Sequence, residues 1–198
     1  MEKITLIIGS MFSGKTTECL RLLDNKRIAK KKCLIIKYSR DTRYDDEFIT
    51  THSQYQYNKT NIKHFETITT DDVDNIIDDG YQVVFIDEGQ FFKDIHLMCD
   101  DLANNGVEVL VSALDGDYKQ EPFGDIPKLI AISEKVIKLS GVCMFCNDKK
   151  GSFTVRTIKS DEHELIGGEE MYKSACRKCM NLYKKNKINQ SNQILSLN

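Results

Sequence analysis

The apolar run Ile4 to Ile8 (ITLII) passes without a break into Gly9-Ser10-Met11-Phe12-Ser13-Gly14-Lys15-Thr16. This junction constrains the fold more than any other stretch, because G-x-x-x-x-G-K-T works only between a buried strand and a helix start. Gly9 and Gly14 permit backbone angles that turn successive N–H groups inward, and the helix that follows adds favourable potential for an anion. Lys15 would then reach the β- and γ-phosphates of a nucleoside triphosphate, with the Thr16 hydroxyl on Mg2+. A plain strand–turn–helix corner would use the glycines for the turn alone. The strand before the loop and the amphipathic pattern after it supply the context that a phosphate-binding loop requires.

Further β-branched runs follow at 33–38 (CLIIKY), 83–87 (VVFID), 108–113 (EVLVSA) and 135–139 (KVIKL). Runs this continuous suit strands covered on both faces. Between them, apolar residues recur at helical spacing. Cys19, Leu22 and Leu23 form one stripe; Val73, Ile76 and Ile77 form another, behind the cap-like Thr69-Thr70-Asp71-Asp72. Ile95, Met98, Cys99 and Leu102 form a third, closed by Asn104-Asn105-Gly106. Strands alternating with helices predict an α/β fold: a mainly parallel sheet flanked by helices, of the P-loop NTPase type.

The run Val83-Val84-Phe85-Ile86 ends in Asp87-Glu88. A carboxylate at a strand tip, Asp87, is placed to bind Mg2+ as in the Walker-B element, and Glu88 to take a proton from an attacking hydroxyl or water. A solvated pair closing a strand is the plain alternative. Several classes fit poorly. Asn58-Lys59 continues Thr60-Asn61 and so is no guanine-reading Asn-Lys-x-Asp. The formal net charge of −2 gives no electrostatic case for wrapping nucleic acid. The basic run Lys26 to Lys32 falls where the first helix should end, and cations favour that end of the dipole. No apolar run approaches the roughly 20 residues that cross a bilayer, so no membrane partner is expected.

Cys143-x-x-Cys146 and Cys176-x-x-Cys179 make two chelating pairs among seven cysteines. Each pair can turn both thiolates into one tetrahedral site, and four thiolates leave no open position, so the expected metal is structural zinc. Without a signal peptide this cysteine usage points to a reducing compartment, with the cytoplasm as default. Cys19, Cys33 and Cys99 lie in apolar patterns and read as core. The expected organisation is a nucleotide-binding α/β domain over 1–140, a zinc-binding module over 141–183 and a flexible polar tail over 184–198. The segment between the pairs, with Gly167-Gly168, would form a loop whose roots the metal holds together.

The blocks IIGSMFSGKTTE, IKYSRDTRY, FIDEGQFF, ALDGDYKQEPF, KLSGVCMFC, ELIGGEEMY and CRKC occur in this order between Ile4 and Met180. In this series the chain resembles the thymidine kinases of the cytosolic and poxviral type. The resemblance implies ATP as phosphate donor and deoxythymidine as acceptor. It puts Met11 near the thymine methyl group, the catalytic base on Glu88, and Asp41 and Arg43 near the sugar hydroxyls and the moving phosphate. Asp87 and Gln90 fall in the nucleotide and active-site block, and Phe91 and Phe123 form walls of the nucleoside pocket. By the same resemblance Tyr118 would stack on the base. The lasso segment His163-Glu164-Leu165-Ile166-Gly167 would bind it largely through main chain, with Tyr172 closing over it.

Ser10 stands where relatives often have proline, Tyr118 where phenylalanine is frequent, and His163 where the residue is often aliphatic. None of these removes a catalytic group. A homotetramer and feedback inhibition by dTTP are implied as well. Two rivals remain on the residues alone: a nucleoside-monophosphate kinase with a zinc-bearing lid, and a zinc-ribbon ATPase that binds nucleic acid.

Overall fold

The computed structural model describes residues 3–41, 49–50, 56–57, 61–158, 160 and 165–195. The chain begins with β1 (Ile4–Gly9), α1 (Lys15–Ile28) and β2 (Cys33–Tyr38). The two-residue strands β3 (Ile49–Thr50) and β4 (Gln56–Tyr57) follow, then β5 (Ile62–Phe65), α2 (Thr70–Asp78) and β6 (Val83–Ile86). A 3-10 turn over Gly89–Phe91 leads to α3 (Ile95–Asn104), β7 (Glu108–Ala113), α4 (Ile126–Ile132) and β8 (Lys135–Leu139). The chain ends in β9 (Gly141–Val142), β10 (Lys150–Gly151), β11 (Phe153–Arg156), β12 (Tyr172–Ala175) and α5 (Arg177–Leu195).

Six strands form one sheet in the order β5-β2-β6-β7-β1-β8, and every pairing in it is parallel. Side chains alternate across the pleat, so each strand feeds two cores. Ile7, Ile35, Val83, Phe85 and Leu110 meet Cys19, Leu20 and Leu23 of α1 on one face. Ile4, Leu6, Leu34, Ile36, Val84 and Val111 meet Val73 and Ile76 of α2, Met98 and Leu102 of α3, and Leu129 of α4 on the other. This two-sided burial explains the near-continuous apolar runs in sequence. Thr69 caps α2: its side chain accepts the Asp72 N–H, while the Asp72 carboxylate accepts the Thr69 N–H.

Five of the sheet's strands fall on the five runs expected from sequence. The sixth, β5, was not expected from the sequence; it is an edge strand with His64 exposed and its other residues half-buried. Cys19, Cys33 and Cys99 are buried and unpaired, as core residues. The segment from Lys184, read from sequence as a polar tail, continues α5 as far as Leu195.

Past Gly141 the architecture changes. β9–β10 and β11–β12 are small antiparallel pairs, and their core is the cluster of Cys143, Val155, Ala175, Cys176 and Met180. This module grips the phosphate-loop region directly. The Ser10 hydroxyl donates to the Gly151 carbonyl at 2.7 Å, and the Met11 N–H donates to Thr154 Oγ1 at 3.1 Å. Gly141 lets the two approach, since a Cβ there would sit 2.7 Å from the Phe12 carbonyl oxygen. No helix among the described residues is long and apolar enough to cross a membrane.

Candidate active site

A parallel sheet puts the carboxyl ends of all its strands on one edge, and ligands gather outside that edge. Here the loops leaving β1, β2, β6 and β7 converge there. They line a cleft that spans about 1030 Å³ of space, part of it open solvent. Met11, Phe12, Gly14, Lys15 and Thr16 come from the first loop, Asp41 from the second, and Asp87, Glu88, Gln90 and Phe91 from the third. Tyr118 and Phe123 follow β7, and Leu165, Ile166, Gly167 and Tyr172 reach in from the cysteine-bearing module. Of the remaining expected residues, Gly9, Ser10 and Ser13 complete the first loop. Arg43, His163 and Glu164 lie outside the described residues.

The loop's form follows from its sequence. Gly14 takes the left-handed conformation (φ 83°) immediately before α1, and no side chain caps the helix. Gly14 thus has no side chain to satisfy the first N–H groups of α1, which favours an anion at this helix start. Lys15 is buried, and its ammonium donates to the Ser10 carbonyl at 2.9 Å; Ser13 Oγ donates to the same oxygen at 2.8 Å. Both bonds draw the loop around a concave interior.

At the tip of β6, Asp87 Oδ1 accepts from the Thr16 hydroxyl at 3.0 Å and, by a short bond, from the Ser112 hydroxyl. Burial pushes the Asp87 carboxyl up to about 6, the neighbouring Glu88 carboxylate adds to the rise, and the two hydroxyls oppose it. Glu88 sits at φ 54°, in the left-handed region that non-glycine residues seldom occupy. Such a conformation costs on the order of 1–3 kcal/mol and is retained where surrounding structure enforces it. Gln90 supplies part of that enforcement. Its amide donates to Glu88 Oε2 at 2.6 Å, while its carbonyl oxygen accepts the Leu114 N–H at 2.9 Å. Gln90 therefore brackets the carboxylate against the end of β7.

An aromatic wall stands beside this carboxylate. Phe91 stacks on Tyr38 (centroids 5.0 Å apart, 23° between planes) and meets Phe123 edge-on at 5.8 Å. Opposite, the module contributes Arg156, Thr154 and Tyr172. Ile166 packs onto the larger sheet core, so this return of the chain is seated on the α/β part. The Tyr172 hydroxyl donates to the Leu165 carbonyl at 2.5 Å.

The sulfur atoms of Cys143, Cys146, Cys176 and Cys179 all lie within 4.8 Å of one another. Tetrahedral zinc with Zn–S near 2.3 Å needs sulfurs about 3.8 Å apart, so this set fits a closed four-thiolate site. A second group, Asp94, His96 and Asp125, also gathers within 4.8 Å. It lies outside the cleft, and Asp125 is already engaged by Lys128 at 2.7 Å and by the Asp94 N–H at 2.8 Å.

Sequence reasoning missed Thr154, Arg156 and Leu114 as cleft residues. The period-2 pattern of β11 held a signal: Val155 enters the module's core, so Thr154 and Arg156 share the opposite face. Nothing in the sequence says that this face meets the phosphate loop.

Comparison with known proteins agrees with the geometry. The family model described as thymidine kinase matches residues 2–180. The chain is 49% identical over 187 residues to a thymidine kinase of Acanthamoeba polyphaga mimivirus, covering 92% of this chain and 83% of the relative. It is 47% identical over 176 residues to the thymidine kinase of Vaccinia virus (strain Western Reserve), covering 89% and 95%. It is 44% identical over 183 residues to thymidine kinase 1 of Dictyostelium discoideum, covering 90% and 78%. With a family match over nearly its whole length and relatives this similar end to end, the chain belongs to the thymidine kinase family.

Proposed function

We propose that the chain transfers the γ-phosphoryl group of ATP to the 5′-hydroxyl of deoxythymidine, giving dTMP. The observation that carries this reading is one cleft lined by a phosphate loop, a strand-tip carboxylate pair, an aromatic wall and a zinc-type module. Family membership supplies the substrate class.

In this reading the amides of residues 9–16 and the Lys15 ammonium hold the β- and γ-phosphates. Lys15 exchanges the Ser10 carbonyl for phosphate oxygens as the nucleotide enters. Thr16 Oγ1 and Asp87 Oδ1 stand 3.0 Å apart, close to the edge of an oxygen octahedron with metal–oxygen distances of about 2.0–2.1 Å. Bound there, Mg2+ would offset negative charge on the phosphates. The raised pKa of Asp87 supports this fit, since a buried carboxylate beside a second one favours a nearby cation. Glu88, held by Gln90, takes the 5′-hydroxyl proton as that oxygen bonds to the γ-phosphorus. The bond to the β–γ bridging oxygen breaks, and its electron pair leaves with ADP. Arg43 adds positive charge beside the moving group, and Asp41 holds the sugar. The base lies between Tyr118 and the Phe91–Phe123 wall, with Met11 near its methyl group and main chain of 163–167 on its polar edge. The rate then comes mostly from alignment and electrostatics.

Structural zinc, a homotetramer, inhibition by dTTP and a cytoplasmic location belong to the same reading. Metal analysis, sizing in solution and dTTP titration address the first three. The decisive experiment separates the products of labelled ATP with thymidine, deoxyuridine, deoxycytidine and nucleoside monophosphates. Thymidine is expected to be the preferred acceptor. Glu88→Gln is expected to keep thymidine binding and lose at least about a hundredfold in turnover. ATP hydrolysis without a phosphorylated nucleoside, or near-normal turnover of Glu88→Gln, would overturn the reading.

A further inference from the structure

Arg156 is 3% exposed, and its guanidinium carbon lies 3.8 Å from the centroid of the Tyr118 ring. A buried guanidinium needs partners, and an aromatic face is one that Arg satisfies well because it is planar and weakly hydrated. Further contacts run into the module. Nε donates to the Tyr172 hydroxyl at 3.2 Å and a terminal nitrogen to the Ser160 carbonyl at 3.4 Å. Arg156 and Tyr172 are directly opposed across the β11–β12 ladder. That Tyr172 hydroxyl in turn holds the Leu165 carbonyl.

Two further contacts tie this arrangement to the cysteine cluster. β12 runs into Cys176, and α5 carries Cys179 and then Tyr183. The Tyr183 hydroxyl donates to the Arg156 carbonyl at 3.3 Å. The next residue, Lys184, donates to Gln120 Oε1 at 2.5 Å, bracing the loop that presents Tyr118. The sulfur cluster, the hairpin, the guanidinium and the Tyr118 ring therefore form one continuous chain of contacts.

We infer that Arg156 is a positioning residue for the nucleobase: stacked on Tyr118 and bonded to Tyr172, it sets the aromatic platform and the Leu165–Gly167 return as one unit. The inference rests on the proposed thymidine site and adds to it the part that couples stacking to the module. These contacts run to the Tyr118 platform and to the Leu165 return, so the expected effect falls on nucleoside affinity more than on the chemical step.

The test compares zinc-loaded wild type, Arg156→Lys, Arg156→Met and Tyr118→Leu, and the Arg156→Met/Tyr118→Leu pair, with thymidine and ATP varied separately. Arg156→Met is expected to raise the thymidine KM at least about fivefold, with kcat and the ATP KM within about twofold. In the Tyr118→Leu background the same substitution is expected to add less than about twofold, because the ring it acts through is gone. Arg156→Lys keeps the charge but not the planar stack or the directed Nε–H, and is expected to fall between wild type and Arg156→Met. Equal effects of Arg156→Met in both backgrounds, an unchanged or lowered thymidine KM, or a matching rise in the ATP KM would overturn the inference. Should Arg156→Met fail to retain zinc, Arg156→Lys decides: no rise in its thymidine KM overturns the inference. If wild type ignores thymidine, the function reading fails on that arm alone. The Arg156 comparison is then made by calorimetry with the nucleoside that wild type does phosphorylate.

Discussion

Leu6, Leu34, Phe85 and Val109 are wholly covered between helices on the two faces of the sheet. The module after Gly141 has only a small cluster around Cys143, Val155, Ala175, Cys176 and Met180, in which ligand-type cysteines take places that larger apolar residues would otherwise fill. The first region is stabilised by burial, which scales with apolar area and is spread over many residues. The second has too little area for that, and its four gathered cysteines offer a metal cross-link at one point instead. Precision differs in the same way. The sheet edge fixes Lys15, Asp87 and Glu88 through strands held on both sides, whereas Arg156, Leu165 and Tyr172 are placed by one hairpin and the cysteine cluster at its root.

Metal removal should expose this contrast most strongly, because structural zinc contributes on the order of 10 kcal/mol to the folding of small metal domains. Chelation, or Cys176→Ser, is expected to raise the thymidine KM well above the ATP KM while circular dichroism retains most of the helix signal. The Ser10–Gly151 and Met11–Thr154 bonds predict a smaller effect on ATP, not none. Equal losses for both substrates, or wholesale unfolding, would show that the two regions fold as one.

Phe85→Ala should act in the opposite sense. Phe85 is fully buried against α1, and emptying such a site costs about 3–5 kcal/mol. The denaturation midpoint is expected to fall for the whole α/β part, with zinc content and thymidine KM little changed below that midpoint. A selective effect on thymidine KM would contradict the contrast.

A smaller effect is expected far from the cleft, at the start of β7. Burial raises the Glu108 carboxyl, but hydrogen bonds from Lys26 and Lys31, each at 2.6 Å, outweigh it and hold the group below the ordinary 4.5. A carboxylate lowered by folding stabilises the native state above its unfolded pKa, and that stability is lost as pH falls through the folded value. The lysines are about a third exposed (32% and 31%), so the pairs are worth roughly 1 kcal/mol. Glu108→Gln should lower the denaturation midpoint at pH 7, and the difference from wild type should shrink below pH 4.5. A difference independent of pH would assign the loss to packing instead.

The same contrast governs what was legible in the sequence. Continuous runs such as VVFI and EVLVSA announce central strands because both faces are buried. IKHF did not announce β5, since an edge strand with an exposed His64 lacks that signal. The short helix α4 escaped for a similar reason: Pro127 lies in its first turn, and only Ile126 and Leu129 are buried. The phosphate loop and the cysteine pairs were readable because their chemistry fixes residue type and spacing locally.

The sequence alone therefore determined the strand–loop–helix junction, the Asp87-Glu88 strand tip and the two Cys-x-x-Cys pairs, since each depends on residues close together in the chain. Only the tertiary structure decided that Gln90 brackets Glu88, that Thr154 meets Met11, and that Arg156 lies over Tyr118. The last two join positions distant in sequence, and Gln90 holds Glu88 only because its carbonyl oxygen is fixed by Leu114 of the next strand's exit. Such contacts arise from how a parallel sheet edge and a cysteine-bearing hairpin pack against each other, and local sequence patterns carry no record of that packing.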